Sequence, residues 1–123
     1  MEKGETMLIN EYVKNSQRTL AKLENKQLDN LHVTLGMLTE VGELADQFKK
    51  NMAYNKEIDW VNVQEEIGDL MFYVAGLCTI NNFDLEKILF KNIEKLKARY
   101  PEKFTEKNAI NRDLDKEREV LEK

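Results

Sequence analysis

The chain has few of the residues that break helices, cross-link a fold or bind zinc. Its 123 residues include one proline, Pro101, and five glycines, so long helices are expected. A single cysteine, Cys78, excludes an intrachain disulfide, and one Cys with one His excludes a Cys/His zinc site within one chain. No uncharged run approaches the roughly 20 residues of a membrane span, and the N-terminus lacks the apolar core of a signal peptide. These absences predict a cytoplasmic protein with no membrane partner.

The composition indicates one globular domain. Hydrophobic residues make up 41% of the chain and charged residues 34%, which is not the composition of a disordered segment. The net charge of -4 argues weakly against nucleic acid as the main partner. A domain of this length buries only a moderate core, and helical proteins of this size often gain further burial by oligomerising.

Apolar residues recur with helical spacing along most of the chain, and no stretch alternates as a strand does, so the predicted class is all-α, most simply a four-helix arrangement. The predicted helices run from about Thr6 to Glu24, Leu31 to Met52, Trp60 to Ile80 and Leu85 to Tyr100. Asp59 and Asp84 are expected to cap the third and fourth helices. One apolar stripe marks the face that the second helix is expected to bury; it comprises Leu31, Leu35, Leu38, Ala45, Phe48 and Met52.

The chain turns polar after Phe104. Residues 105–123 carry many charges of both signs and few apolar side chains. This segment is expected to be a short surface helix, an arm onto a partner subunit, or a frayed end. We therefore divide the chain into a helical domain, residues 1–104, and a charged C-terminal tail or arm, residues 105–123.

Two near-identical acidic motifs lie in the middle of the second and third predicted helices. They read "EVGEL", from Glu40 to Leu44, and "EIGDL", from Glu66 to Leu70. Residues i and i+3 lie about 60° apart on a helix, so the two acids of each motif project from one side. If the helices pack together, four carboxylates converge and require a cation, and an all-oxygen set suits Mg²⁺ or Mn²⁺. A lone ExxE is usually a solvated helix face; the repeat is what favours a metal site.

The glycine at the centre of each motif, Gly42 and Gly68, is unfavourable in a helix by about 1 kcal/mol relative to Ala. Because glycine has no Cβ, each could let a neighbouring helix or a bulky ligand approach the backbone.

A basic stripe follows on the fourth predicted helix. Its members, at four-residue spacing, are Lys87, Lys91, Lys95 and Arg99. The stripe is either a solvated face balanced by Glu86 and Glu94 or a binding surface for phosphate. Together with the acids, it forms a set of residues suited to a metal-bound polyphosphate.

Three segments, "EVGELAD", "EEIGDLMFY" and "NIEKLKARYPEKF", resemble the MazG-type all-α nucleoside triphosphate pyrophosphohydrolases. The resemblance covers roughly Leu31 to Phe104 and is that of a short, single-module member. It implies Mg²⁺-dependent hydrolysis of a nucleoside or deoxynucleoside triphosphate to the monophosphate and pyrophosphate. It also implies a homodimer or homotetramer, in which helices from different subunits complete each site.

The resemblance assigns roles to particular residues. The family's metal-ligand positions are matched by Glu40, Glu43, Glu66 and Asp69. Either Glu40 or Glu43 would activate the attacking water, and the sequence does not decide between them. Asn92 and Lys95 match the segment expected to contact the phosphates, with Arg99 a weaker candidate.

Three further side chains are candidates for substrate binding. Tyr73 lies four residues after Asp69 and could stack on the sugar or base, or be a core tyrosine at a subunit contact. His32 lies two helical turns before Glu40 and could reach the nucleotide, although a lone histidine is more often structural. Lys50 follows the first acidic motif and could contact phosphate, although a surface lysine is the simpler interpretation.

Other functions remain open. A narrower specificity, for dUTP, dCTP or phosphoribosyl-ATP, is possible within the same chemistry. A non-catalytic helical interaction module is a different class, and the four intact acids argue against it. A nucleic-acid binder using the basic stripe is disfavoured by the acidic net charge.

Overall fold

The computed structural model describes residues 5–123, which form helices and connecting segments without a strand. The elements are α1 (Ile9–Ser16), a 3-10 turn (Gln17–Thr19), α2 (Lys26–Tyr54), α3 (Trp60–Ile80), α4 (Leu85–Arg99), α5 (Glu106–Ile110) and α6 (Leu114–Glu122). The predicted all-α class is confirmed. The helices fall into two compact units; the first ends at Phe83 and the second is Asp84–Lys123. Within residues 5–123, no helix combines the length and apolar character needed to cross a membrane.

Side-chain caps set the helix starts. The carboxylate of Asp59 accepts hydrogen bonds from the backbone N–H groups of Val61 and Asn62, and that of Asp84 caps α4 in the same way, as predicted. Asn25 caps α2 by accepting from Leu28 N–H. The cap begins α2 more than one turn before the apolar pattern that indicated it. The prediction that residues 51–59 form a loop is wrong for residues 51–54, because α2 continues to Tyr54.

The first helix is shorter than predicted. It ends at Ser16 and passes into the 3-10 turn. The hydroxyls of Ser16 and Thr19 donate to backbone carbonyls three residues earlier, at 3.2 and 3.1 Å. Such local bonds offer the backbone an alternative to a continuing α-helix.

Helices α2 and α3 pack along each other in opposite directions. Asn30 and Asn81 exchange side-chain hydrogen bonds at one end, with a shortest distance of 2.7 Å. Gln47 donates to Asn62 at the other end, at 2.6 Å. Because the partners on α3 occur in reverse order, the helices are antiparallel and the two acidic motifs lie at the same level.

The close approach of the two helices occurs at glycines outside the acidic motifs. A Cβ on Gly36 would lie within 2.6 Å of ring carbons of Tyr73, and one on Gly76 would lie 3.1 Å from Val33 Cγ1. Nothing lies within 4 Å of a Cβ built on Gly42 or Gly68. Within residues 5–123, no neighbouring helix packs a side chain at the Cβ position of these two glycines, and approach of a second copy or a ligand to them stays a prediction.

The apolar stripe of α2 is not buried by α3. Leu38 is 66% exposed and Met52 is 84% exposed, whereas Val33 is fully buried. The side of α2 that faces α3 instead carries Val33 together with small and polar residues, among them Gly36 and Gln47. Periodicity thus identified an apolar face but not what covers it, and burial of this stripe by oligomerisation stays a prediction.

In the second unit, α6 packs against α4 around a buried ion cluster. Glu117 is 4% exposed and accepts from the guanidinium groups of Arg99 and Arg112. These contacts hold the pKa of Glu117 well below its usual range, at about 2. Residues 105–123 thus contain two helices with side-chain caps, α5 and α6, and α6 carries the buried carboxylate of Glu117.

Candidate functional site

Acidic side chains from α2 and α3 meet at one level of the first unit. One oxygen from each of Glu40, Glu43 and Glu66 lies within 4.8 Å of the others. Glu65, Glu66 and Asp69 form a second group within the same distance. Because Glu66 belongs to both groups, the acids line one continuous seam between the two helices; we call this set the acidic seam.

Burial distinguishes the members of the seam. Glu66 is 5% exposed, Glu40 is half-buried and Glu43 is exposed. Glu40 Oε2 and Glu66 Oε2 are both buried, and neither accepts a hydrogen bond within residues 5–123. Leaving a buried carboxylate oxygen without a donor is costly, so each of these atoms is stabilised by a bound proton, a hydrogen-bond donor or a cation.

The carboxylates also perturb one another. The contact with the carboxyl of Glu40 raises the pKa of Glu66, and the contact with Glu66 raises the pKa of Glu43. Like charges in close contact favour the neutral form of each acid. A divalent cation bound among them would reverse that effect, and an all-carboxylate donor set suits Mg²⁺ or Mn²⁺. Both the unpartnered buried oxygens and the crowded charges therefore fit a metal site.

Two amides beside the seam were missed by sequence reasoning. Asn62 Nδ2 donates to Glu66 Oε1 at 3.2 Å and to Glu65 Oε1 at 3.1 Å. Gln47 Nε2 donates in turn to Asn62 Oδ1 at 2.6 Å. Asn62 precedes Glu66 by four residues, so the i,i+4 spacing of an amide and an acid was an available signal.

The candidates for nucleoside binding lie on the same two helices. Tyr73 packs its ring on Gly36 and meets the His32 ring edge to face, with 6.2 Å between centroids. His32 Nδ1 is buried and has no hydrogen-bond partner in the described chain. The packing of Tyr73 agrees with a core role, and stacking of either ring on a nucleoside stays a prediction.

The four residues predicted to contact phosphate differ in their ion pairs and in their exposure. Lys50 Nζ lies 2.7 Å from the carboxylate of Asp46, one turn earlier on α2. Arg99 is engaged by Glu117, which the sequence did not suggest. Asn92 is exposed and Lys95 half-buried on α4. Contact of these four residues with a nucleotide stays a prediction.

Comparison with known proteins places the seam in a family. Residues 29–104 match the model of the MazG nucleotide pyrophosphohydrolase domain. The chain belongs to the MazG family. The matched region contains both acidic motifs and the whole basic stripe. The MazG assignment confirms the resemblance carried by "EVGELAD" and "EEIGDLMFY".

A curated relative of this MazG chain is the Gene 37 protein of Mycobacterium phage L5. It is 35% identical over 75 residues, which are 55% of this chain and 63% of the relative. The chain thus spans less than two thirds of the length of that relative. No solved structure matches the chain.

Proposed function

We propose that this MazG domain hydrolyses a nucleoside or deoxynucleoside triphosphate to the monophosphate and pyrophosphate with Mg²⁺, or with Mn²⁺ in its place. The observation that carries the proposal is the pair of buried, unpartnered oxygens, Glu40 Oε2 and Glu66 Oε2, in carboxylates that belong to the acidic seam. Glu40, Glu43, Glu66 and Asp69 are the residues that would hold the metal.

The reaction requires few protein groups. A water attacks the α-phosphorus, the bond from that phosphorus to the bridging oxygen of the leaving pyrophosphate breaks, and the water loses a proton. The chemistry supplied by bound Mg²⁺ is a lower pKa of water and neutralisation of phosphate charge. We assign the proton to Glu43, because it is exposed at the edge of the seam while Glu40 is half-buried.

Substrate contacts come from basic and aromatic side chains in this proposal. Lys95, Arg99 and Lys50 would offset phosphate charge, and the neutral amide of Asn92 would donate a hydrogen bond to a phosphate oxygen. Tyr73 and His32 would contact the nucleoside.

A homo-oligomer accompanies the proposed activity. Five large apolar residues of the stripe on α2 are exposed, and exposed apolar surface marks interaction sites where it is contiguous. A second copy of the chain is the partner that we propose for it, in a dimer or tetramer. Gly42 lies on this helix with open space around it, so the second copy or the ligand could approach there.

Product analysis tests the proposed activity. The protein is incubated with Mg²⁺ and each common NTP and dNTP, and the products are separated. Monophosphate with pyrophosphate is the expected result; absence of turnover with every nucleotide would overturn it. Glu43→Gln should lose roughly 100-fold or more in turnover, the usual contribution of a positioned base. Glu24→Gln, at an exposed acid outside the seam, is the matched control and should keep full activity.

A further inference from the structure

We infer that Gln47 and Asn62 form an amide relay that fixes the direction of the free oxygen of Glu66, and that both are positioning residues for the metal. Their role in catalysis rests on the proposed function. The relay itself rests on hydrogen bonds within the first unit.

The hydrogen bonds of the relay can run in only one donor-to-acceptor direction. It begins at the backbone N–H of Asp59, which can only donate and reaches Gln47 Oε1 at 3.2 Å. Since that end of the Gln47 amide accepts, its Nε2 must be the donor to Asn62. Asn62 therefore receives this bond on Oδ1 and turns Nδ2 toward the acids. Amide orientations are often ambiguous, but here a backbone group at one end fixes both.

Asp59 is itself held in place. Its carboxylate caps α3 by accepting from Val61 and Asn62 N–H at 3.1 Å each. The relay thus begins at the capped start of α3 and ends on a carboxylate about two turns into the same helix. Gln47 connects the two points from α2.

The relay leaves Glu66 with one available oxygen. Asn62 has two N–H donors, and they reach Glu66 Oε1 and Glu65 Oε1. Glu66 Oε1 is therefore occupied, while Oε2 is the buried atom without a donor. A carboxylate held in this way keeps a single oxygen, Oε2, available as a metal ligand. Residues that orient metal ligands through hydrogen bonds typically contribute 10- to 100-fold to metal affinity.

The substitution Gln47→Glu tests the relay, because the relay and simple electrostatics predict opposite changes in Mn²⁺ affinity. A carboxylate at position 47 still accepts from Asp59 N–H, but it cannot donate to Asn62 Oδ1. The Asn62 amide then turns its NH₂ to residue 47 and its oxygen toward Glu66. Mn²⁺ affinity should fall 10- to 100-fold. Simple electrostatics predicts the opposite sign, because added negative charge near a cation site strengthens binding.

Gln64→Glu is the matched control. It makes the same change of charge on α3, two residues before Glu66. The Gln64 side chain donates only to the backbone carbonyl of Trp60 among the described contacts. Its Mn²⁺ affinity should be unchanged or higher. Binding is measured by titration calorimetry with Mn²⁺ alone.

A second readout needs no metal. In the metal-free wild-type protein, the side-chain NH₂ protons of Asn62 should exchange with solvent more slowly than those of the exposed Asn15, by NMR. In Gln47→Glu the Asn62 resonances should shift. If Gln47→Glu does not fold, Gln47→Met removes both polar atoms at similar length, and Mn²⁺ affinity should fall about tenfold.

The possible results distinguish a failure of the relay from a failure of the proposed function. Weaker Mn²⁺ binding in Gln47→Glu but not in Gln64→Glu, with slow exchange at Asn62, supports the relay. Equal or tighter Mn²⁺ binding in Gln47→Glu, or fast exchange at Asn62 in the wild type, overturns it. If the wild-type protein takes up no Mn²⁺, the proposed function fails, and the exchange rates still decide whether the relay exists.

Discussion

The packing of the Tyr73 ring against Gly36 makes this glycine an informative position for a stability test. A Cβ there would overlap the Tyr73 ring, with three ring carbons within 2.6 Å. Gly42 lies on the same helix, six residues later, and a Cβ there meets nothing within 4 Å. The substitutions Gly36→Ala and Gly42→Ala therefore make the same chemical change in two different environments.

The change in the free energy of unfolding can be estimated for both substitutions from helix propensity and steric overlap. Replacing a helical glycine by alanine gains about 1 kcal/mol at either position. Gly36→Ala adds an overpacking cost of about 1–3 kcal/mol, because the Tyr73 ring must move. Gly42→Ala should thus raise the free energy of unfolding by about 1 kcal/mol. Gly36→Ala should lower it by up to about 2 kcal/mol, so the two variants differ by about 1–3 kcal/mol.

Urea unfolding followed by circular dichroism measures both variants, at two protein concentrations so that any oligomer is recognised. Tyr73→Ala supplies the control. In that background, Gly36→Ala should no longer lower the free energy of unfolding, and the coupling energy between the two substitutions should equal the overpacking cost. Equal stabilisation by Gly36→Ala and Gly42→Ala would refute the close contact. If Gly42→Ala is more stable but binds Mg²⁺-nucleotide weakly, the open space at Gly42 serves the ligand.

Three further predictions follow from other features. The guanidinium groups of Arg112 and Arg99 lower the pKa of Glu117 from its ordinary value of 4.5 to about 2, so it contributes stability above about pH 4.5 that is lost as the pH falls toward 2. Glu117→Gln should be less stable at neutral pH and should lack this loss, as measured by acid titration of the circular dichroism signal. Leu38→Glu places a charge on the exposed stripe and should reduce the mass measured by light scattering to that of the monomer, whereas an unchanged mass would exclude the stripe as the interface. Glu66→Gln should be more stable than the wild type without Mg²⁺ but should show a smaller rise in melting temperature when Mg²⁺ is added, by differential scanning fluorimetry.

Much of the helical arrangement could be predicted because it depends on local chemistry. The boundaries of α3 agree with its apolar pattern and with the caps at Asp59 and Asn81, and the structure begins it at Trp60 as predicted. The apolar pattern did not indicate the start of α2, because Asn25 caps a turn that has no apolar periodicity. The surface that covers the apolar stripe of α2 was not predicted. Burial of a stripe depends on which surfaces meet, and a single sequence does not contain that information.

The sequence predicted which acidic residues come together in the candidate site, but not the amides beside them. Repeated ExxE and ExxD spacing puts two acids on one side of each helix, and antiparallel packing brings Glu40, Glu43 and Glu66 together. The amides beside them were not predicted, because Gln47 and Asn62 also occur commonly on solvated helix faces. Their roles depend on the loop that leads from α2 to α3, where Asp59 N–H sets the direction of both amides. Loop geometry of this kind is not encoded in helical periodicity.

The acidic seam itself explains why Glu66→Gln should stabilise the metal-free protein. Glu66 is 5% exposed and one of its oxygens has no donor among the described contacts, so ionising it without a cation is unfavourable. Glutamine keeps the size of the side chain and removes the charge that repels Glu40. Mg²⁺ stabilises the folded state by RT ln(1 + [Mg²⁺]/Kd), about 2.7 kcal/mol when free Mg²⁺ is 100 times Kd. A variant with a weaker site gains less at the same concentration. If Glu66→Gln is less stable than the wild type without Mg²⁺, the buried carboxylate is satisfied by the protein alone, and the seam has no need of a metal.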